Sequence, residues 1–192
     1  MQSPSEVATC EADRVALLRL ARLAVVEAVF HGGLPNQIPS QGIFAQRRGA
    51  FVTLHVHGRL RGCIGVIEAD EPLGDVVVRC AASAAAQDPR FSPLRVEEIP
   101  DVQIEISLLS QLAPIRLGEV EIGRHGLLLS RGSQRGLLLP QVAVEHRLTV
   151  EQFAQETCRK AQLPLDAWQQ PDVKLLGFTC EIFSEAAGAA GM

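Results

Sequence analysis

The stretch AFVTLHVHGRLRGCIGV, residues 50–66, predicts the hairpin on which the rest of the fold is built. Its first arm, residues 50–56, alternates apolar and polar residues as a half-buried strand does. Gly58 then turns the chain back, and the second arm covers residues 60–68. Within that arm, one arginine, one cysteine and two glycines interrupt an apolar strand in the hexapeptide Leu60-Arg61-Gly62-Cys63-Ile64-Gly65. This hexapeptide is the first candidate for a functional segment.

Two registers of the hairpin compete, and a shift of one residue would turn every side chain to the other face. A two-residue turn at His57-Gly58 mixes polar and apolar side chains on one face. A three-residue loop, Val56-His57-Gly58, puts Gly58 at the left-handed position that such loops require. We favour the three-residue loop because it makes the hairpin two-sided. The apolar face then holds Val52, Leu54, Leu60, Gly62 and Ile64, and the polar face holds Thr53, His55, Arg59, Arg61 and Cys63.

Three main helices are predicted from apolar periodicity and capping residues. The first runs to about Phe30 with Thr9 as its N-cap, and the second has Pro72 in its first turn and ends before Asp88-Pro89. A capping box of Thr149 and Gln152 begins the third, which ends near Leu163.

Further strands are predicted over residues 102–109 and 173–183, where Gly177 is a candidate bulge, and as a second hairpin over residues 126–130 and 136–139. Strand pairs interspersed with helices indicate an α+β fold with mainly antiparallel sheets and two subdomains. We expect a disordered N-terminus over residues 1–10, one domain of two lobes over residues 11–185, and a flexible tail over residues 186–192.

Composition narrows the class of protein. Of 192 residues, 47% are hydrophobic and 21% charged, which is typical of a globular chain. The net charge of −4 makes nucleic acid an unlikely partner, because such binding needs a basic surface. No transmembrane helix or secretory signal is predicted, so a cytoplasmic location is expected. The five cysteines lack CxxC spacing and are expected to be reduced thiols, with no metal site or cofactor.

Several short segments together resemble the AMMECR domain family, whose bacterial members are called AmmeMemoRadiSam system protein A. The resemblance covers about residues 11–185. It rests on Gly49-Ala50-Phe51-Val52-Thr53-Leu54, the hexapeptide, Asp88-Pro89-Arg90-Phe91, Arg124-His125-Gly126, Arg135-Gly136-Leu137, Leu139-Pro140-Gln141-Val142 and Cys158-Arg159-Lys160-Ala161.

The resemblance implies an α+β fold of two subdomains with a cleft between them, near which the hexapeptide lies. It also implies two partners, a Memo-like protein and a radical S-adenosylmethionine enzyme, because the bacterial members are similar to parts of a system that contains both. It does not imply a settled activity.

Cys63 is a candidate nucleophile, because a nearby cation favours the reactive thiolate and Arg61 lies two residues away on the predicted polar face. The alternative is a small packing residue, which is the commoner role of a free cysteine. His125 is a second candidate catalytic residue, although a lone histidine is more often structural. His57 is expected to diverge from His55 in the turn, which argues against a metal site there.

A ligand is expected to approach the strand glycines, with arginines as charge-assisted donors. The alternative is tightly packed strand glycines beside surface arginines. Gln141 is expected either to present its amide to the ligand or to stabilise a turn. The candidate ligand-binding residues are Thr53, Arg61, Gly62, Gly65, Arg90, Arg135 and Gln141.

Two classes of function follow. In the first, a cleft around Leu60–Gly65 binds a small anionic or peptide-like ligand, with Cys63 as a thiol nucleophile. In the second, the same surface belongs to a non-catalytic adaptor or carrier for the Memo-like protein and the radical S-adenosylmethionine enzyme.

Overall fold

The computed structural model describes residues 9–186, and these residues fold into two compact units. The first unit contains residues 9–109 and 181–186, and the second contains residues 110–180. The expectations for residues 1–8 and 187–192 lie outside the described residues. Within the described part, the helices are too short or too polar to cross a membrane. Helices and antiparallel strands in two units confirm the predicted α+β class with two subdomains.

Two long helices belong to the first unit: α1, Glu11–His31, and α2, Leu73–Ala86. The N-cap of α1 is Cys10, so the prediction of Thr9 was wrong by one residue. Thr9 is instead buried, and its backbone N–H donates to the Glu181 carboxylate at 2.9 Å. Pro72 is the N-cap of α2, so it precedes the first turn in which it was predicted. Small residues of α2, such as Ala81 and Ala84, are buried.

The strands β1, Ala50–Val56, β2, Arg59–Val66, and β3, Val102–Leu109, form an antiparallel sheet in the first unit. β1 pairs with both neighbours, so β2 lies at the edge of these three strands. Alternate residues of each strand share a face. The buried apolar face, which packs in one core with α1 and α2, contains Val52, Leu54, Ile104, Ile106 and Leu108. The opposite face contains Thr53, Cys63 and Glu105.

The predicted three-residue hairpin loop was wrong. Val56 pairs with Arg59, so the turn has two residues, His57 and Gly58, with φ of 51° and 73°. Positive φ at both central positions is the geometry that matches the twist of a hairpin. A β-bulge at Arg61 then shifts the register, because His55 pairs with Leu60 whereas Leu54 pairs with Gly62.

Because of the bulge, the residues of β2 that follow it lie on the same faces that the three-residue loop predicted. Beyond it, Val52 and Leu54 pair with Ile64 and Gly62, and Thr53 pairs with Cys63. The face prediction fails for the two residues before the bulge. Leu60 pairs with His55 and is 42% exposed, and Arg59 pairs with Val56 rather than with His55.

The second unit contains the strands β4, Ala113–Pro114, β5, His125–Arg131, and β6, Gln134–Leu138. β7, Lys174–Ser184, begins in this unit and ends in the first. β5 pairs with β6 and β7, which confirms the second hairpin. The register across Gly177 is regular, so the predicted bulge there was wrong. A Cβ atom on Gly177 would lie 2.8 Å from the end of the Ile115 side chain.

Two helices complete the second unit: α3, Pro140–Glu145, and α4, Val150–Lys160. The capping box that begins α4 is confirmed, since Thr149 accepts from the Gln152 N–H at 3.2 Å and Gln152 accepts from the Thr149 N–H at 2.9 Å. α4 ends three residues before Leu163. α3 was not predicted, because six residues give too short a periodic pattern.

Candidate functional site

The Cys63 thiol lies on the polar face of the first sheet beside Thr53. The Thr53 hydroxyl donates to Cys63 Sγ at 3.3 Å. The two residues are direct cross-strand partners, and Glu105 is the partner of Thr53 on its other side. The register therefore places a thiol, a hydroxyl and a carboxylate in one row across β2, β1 and β3. Cys63 is half-buried in this row.

Asp88 fixes the backbone of Cys63. Its buried carboxylate accepts the Cys63 N–H through Oδ2 at 2.8 Å and the Arg90 N–H through Oδ1 at 3.1 Å. The hydrogen bond from the Arg90 side chain is the largest cause that holds the pKa of Asp88 well below its usual range. Asp88 is therefore a carboxylate under all ordinary conditions, with the lone pairs of both oxygens engaged in the fold.

Arg90, two residues after Asp88, contacts both the Asp88 carboxylate and the backbone of Cys63. Its Nε and Nη2 donate to the two Asp88 oxygens at 3.0 and 2.7 Å, and Nη2 also donates to the Cys63 carbonyl at 3.1 Å. The guanidinium lies 5.4 Å from the centroid of the Phe91 ring. Asp88 and Arg90 thus bind the N–H and the C=O of Cys63 as a neighbouring strand would, which protects the edge of the sheet.

Arg61 is engaged with Glu98 and with two backbone carbonyls. Its Nε and Nη2 lie 2.8 and 3.1 Å from the two Glu98 oxygens, and its remaining donors reach the carbonyls of Ser92 and Pro93 at 2.6 and 3.1 Å. The Arg61 hydrogen bond is also the largest cause that lowers the pKa of Glu98 to about 2. The bulge residue therefore ties β2 to the loop that follows α2.

The two hexapeptide glycines each face another part of this chain. A side chain on Gly62 would begin 2.1 Å from the Ala84 carbonyl oxygen of α2. A side chain on Gly65 would begin 2.3 Å from the ring of Phe51, its cross-strand partner. The close approach that glycine permits is thus made by a helix backbone at one position and by an aromatic ring at the other.

The remaining candidates lie in the second unit. His125 begins β5, and its Nδ1 accepts the Glu121 N–H at 3.0 Å. Arg135 lies in β6 opposite Ser130. Gln141 lies in the first turn of α3, and its Oε1 is buried without a hydrogen-bond partner among the described residues. A catalytic role for His125 and ligand contacts by Arg135 and Gln141 stay predictions.

Two other thiols are more buried than that of Cys63. Cys80 and Cys158 are buried, and burial is the largest cause that raises the pKa of each, to about 11 for Cys80. Both are packing residues.

Three functional-site residues were missed from the sequence: Asp88, Glu98 and Glu105. Asp88 stood in a segment that carries the family resemblance, but the sequence contains no sign that its carboxylate reaches a strand 25 residues earlier. Glu98 is 37 residues from Arg61. Glu105 could have been placed in the row from the alternation of β3, had the order of the strands been known.

Comparison with known proteins identifies the class and then the family. The fold and its hairpin site define a two-unit α+β protein with antiparallel sheets. The family model AMMECR1 matches residues 18–183, and the chain belongs to the AMMECR1 family. The resemblance stated from the sequence is thereby confirmed.

Relatives support the same assignment over most of the chain. A protein of Methanothermobacter thermautotrophicus is 41% identical over 88% of this chain and 92% of its own. One of Thermococcus gammatolerans is 40% identical over 88% of each chain. The crystal structure of an uncharacterized protein from Pyrococcus horikoshii is similar with a TM-score of 0.79 at 37% identity, covering 90% of this chain and 91% of that one.

Proposed function

We propose that this AMMECR1-family protein binds a peptide-like ligand in the cytoplasm on the polar face around Cys63, and that the Cys63 thiol acts as a nucleophile toward it. The observation that carries the proposal is the Thr53–Cys63 hydrogen bond at 3.3 Å, on a half-buried face rather than in the core. A hydroxyl that donates to sulfur stabilises the thiolate, which is the reactive form.

The charges around Cys63 favour a peptide-like ligand over an anion. Arg90 is paired with Asp88, and Arg61 is paired with Glu98. Each arginine is neutralised by a carboxylate, so neither offers the net positive charge that would attract a free anion. Amide groups of a peptide need hydrogen-bond partners rather than charge, and the row of thiol, hydroxyl and carboxylate provides them.

In this proposal, the residues of the hexapeptide and those that contact it have different roles. Cys63 and Thr53 contact the ligand. Asp88 and Arg90 position Cys63 by binding its backbone, and Arg61 positions β2 through Glu98. Gly62 and Gly65 allow α2 and Phe51 to pack against the same strand.

The test compares ligands captured by the full chain in cells. Wild type, Cys63→Ser and Cys10→Ser are expressed at equal levels, purified under mild conditions and analysed for bound peptides and small molecules by mass spectrometry. Cys10→Ser is the matched control, because Cys10 is an exposed thiol at the start of α1. We expect a peptide-like species with wild type and Cys10→Ser and its loss with Cys63→Ser. Equal recovery from all three proteins would count against the proposal.

A second candidate function is the adaptor or carrier for a Memo-like protein and a radical S-adenosylmethionine enzyme. The observation that favours it is an exposed stripe on α1 that carries the apolar residues Val15, Leu23 and Phe30, with Arg19 between the first two. Their spacings of eight and seven residues place them on one side of the helix, and Phe30 is 50% exposed. Exposed apolar stripes of this kind are typical of protein-binding surfaces.

Leu23→Glu tests the adaptor function directly. We expect this variant to lose capture of both partners from cells, with Cys63→Ser retaining it. Val96→Glu serves as the control, because Val96 is an exposed apolar residue of the same unit outside α1. Capture that survives Leu23→Glu would remove the α1 stripe from the proposal.

A further inference from the structure

A pocket of about 510 Å³ lies within the second unit, between α3 and the C-terminal half of α4. It is separate from the residues around Cys63, all of which belong to the first unit. Two segments that carry the family resemblance contribute to it, Leu139-Pro140-Gln141-Val142 and Cys158-Arg159-Lys160-Ala161. The polar face around Cys63 accounts for neither of them. The volume is in the range of ordinary small-molecule sites.

The lining of the pocket follows from helix periodicity. Val142 and His146 are four residues apart and share one side of α3 and its C-cap. Glu156 and Lys160 are four residues apart on α4. Arg147, with φ of 52°, turns the chain between the two helices, and the Leu148 N–H closes this turn on the Ala143 carbonyl at 2.8 Å.

The lining separates into an apolar floor and a charged rim. Leu138, Val142 and Leu148 are half-buried and form the floor. The rim carries two basic side chains, Arg159 and Lys160, and one acidic side chain, Glu156.

Arg159 donates to Glu156, so this pair is internally neutral and Lys160 is the charge in excess. A rim with a net positive charge on a chain of net charge −4 favours an anion. We propose that this pocket binds a small organic anion with an aliphatic body, whose acidic group meets Lys160 and whose chain covers the apolar floor.

Octanoate is the probe for this proposal, and 1-octanol is its neutral counterpart. The full chain is titrated with each by calorimetry, and the bound position is mapped by methyl NMR. We expect octanoate to bind at least about tenfold more tightly than 1-octanol, because only octanoate gains the charge-assisted hydrogen bond. Methyl shifts should concentrate on Leu138, Val142 and Leu148.

Lys160→Glu and Lys174→Glu distinguish an effect of the Lys160 charge in the pocket from an effect of the net charge of the chain. Both lysines are exposed in the second unit, and both substitutions change the net charge equally, but Lys174 does not line the pocket. We expect Lys160→Glu to weaken octanoate binding at least about tenfold and Lys174→Glu to leave it unchanged. Equal binding of octanoate and 1-octanol, equal effects of the two substitutions, or methyl shifts outside the pocket would overturn the proposal.

Discussion

Arg61 and Glu98 form a two-pronged ion pair across 37 residues of sequence, with Nε 2.8 Å from Oε1 and Nη2 3.1 Å from Oε2. The two side chains are only 16% and 17% exposed. The pair holds the bulge of β2 against the 3₁₀ helix Val96–Asp101 that precedes β3. Arg61 therefore anchors β2 to the segment before β3. Its contact with a ligand stays a prediction.

Arg61→Lys should lower the free energy of unfolding by about 2 kcal/mol, since lysine keeps the charge but lacks the planar fork that reaches both oxygens. Urea denaturation of the full chain measures the change. The control is Arg79→Lys, because the Arg79–Glu71 pair is much more exposed and should contribute less than about 1 kcal/mol. Equal losses in the two variants would show that the fork of Arg61 adds nothing.

The free energy of unfolding should depend on pH through the ionisation of Glu98. Its pKa in the folded chain is about 2, below the ordinary value of 4.5, chiefly because of Arg61. A lowered folded pKa stabilises the fold above the unfolded pKa, and this contribution disappears as the pH falls through the folded value. The stability difference between wild type and Glu98→Gln should therefore be full at neutral pH and shrink between pH 4.5 and about 2.

Chemical denaturation at a series of pH values measures this difference. Asp88, whose folded pKa is also lowered, continues to lose its contribution at still lower pH in both proteins, so it cancels in the comparison. A difference that stays constant with pH would mean that Glu98 is not stabilised by Arg61.

Gly62→Ala should destabilise the chain by about 3 kcal/mol, because the new methyl group would lie 2.1 Å from a backbone oxygen of α2 that cannot move alone. Gly65→Ala should also destabilise the chain, because its methyl group would lie 2.3 Å from the Phe51 ring and 2.6 Å from the Ala50 backbone oxygen. Gly33→Ala is the control, with open space around it, and should stay within about 0.5 kcal/mol of wild type. Thermal unfolding ranks the three variants, and a Gly62→Ala protein as stable as Gly33→Ala would contradict the packing of α2 on β2.

Thr53→Val should slow alkylation of Cys63 several-fold at neutral pH, because valine keeps the shape of threonine but removes the hydroxyl that donates to Sγ. Site-resolved mass spectrometry of iodoacetamide-treated protein gives the rate at Cys63, and Cys10 in the same sample serves as the internal reference. An unchanged rate at Cys63 would show that the hydroxyl does not activate the thiol.

The long helices and the longer strands were predictable from the sequence because local chemistry determines them, whereas the six-residue α3 was not. β3 was predicted with its bounds, and the capping box of Thr149 and Gln152 begins α4. The hairpin shows where local rules stop. A two-residue turn and a two-sided hairpin are incompatible unless one residue is bulged, and the structure places that bulge at Arg61. The Arg61 side chain pairs with Glu98, 37 residues later, which no local rule predicts.

The candidate site was predictable in part for the same reason. Cys63 and Thr53 face each other because they lie on neighbouring arms of one hairpin. The contacts of Asp88 with Cys63 and of Glu98 with Arg61 are tertiary, and no pattern within either segment announces them. Gly62 signalled a close approach, but only the packing of α2 reveals that Ala84 makes it.

The proposal that Cys63 is the working nucleophile is tested most directly by its alkylation rate in the folded chain, compared with the same residue in the urea-unfolded chain at the same pH. Iodoacetamide and site-resolved mass spectrometry provide both rates. The proposal predicts that Cys63 reacts faster when folded, although it is half-buried, whereas the buried Cys80 reacts more slowly. A folded Cys63 that is slower than in the unfolded chain, as Cys80 is, would contradict the proposal and leave Cys63 as a packing residue.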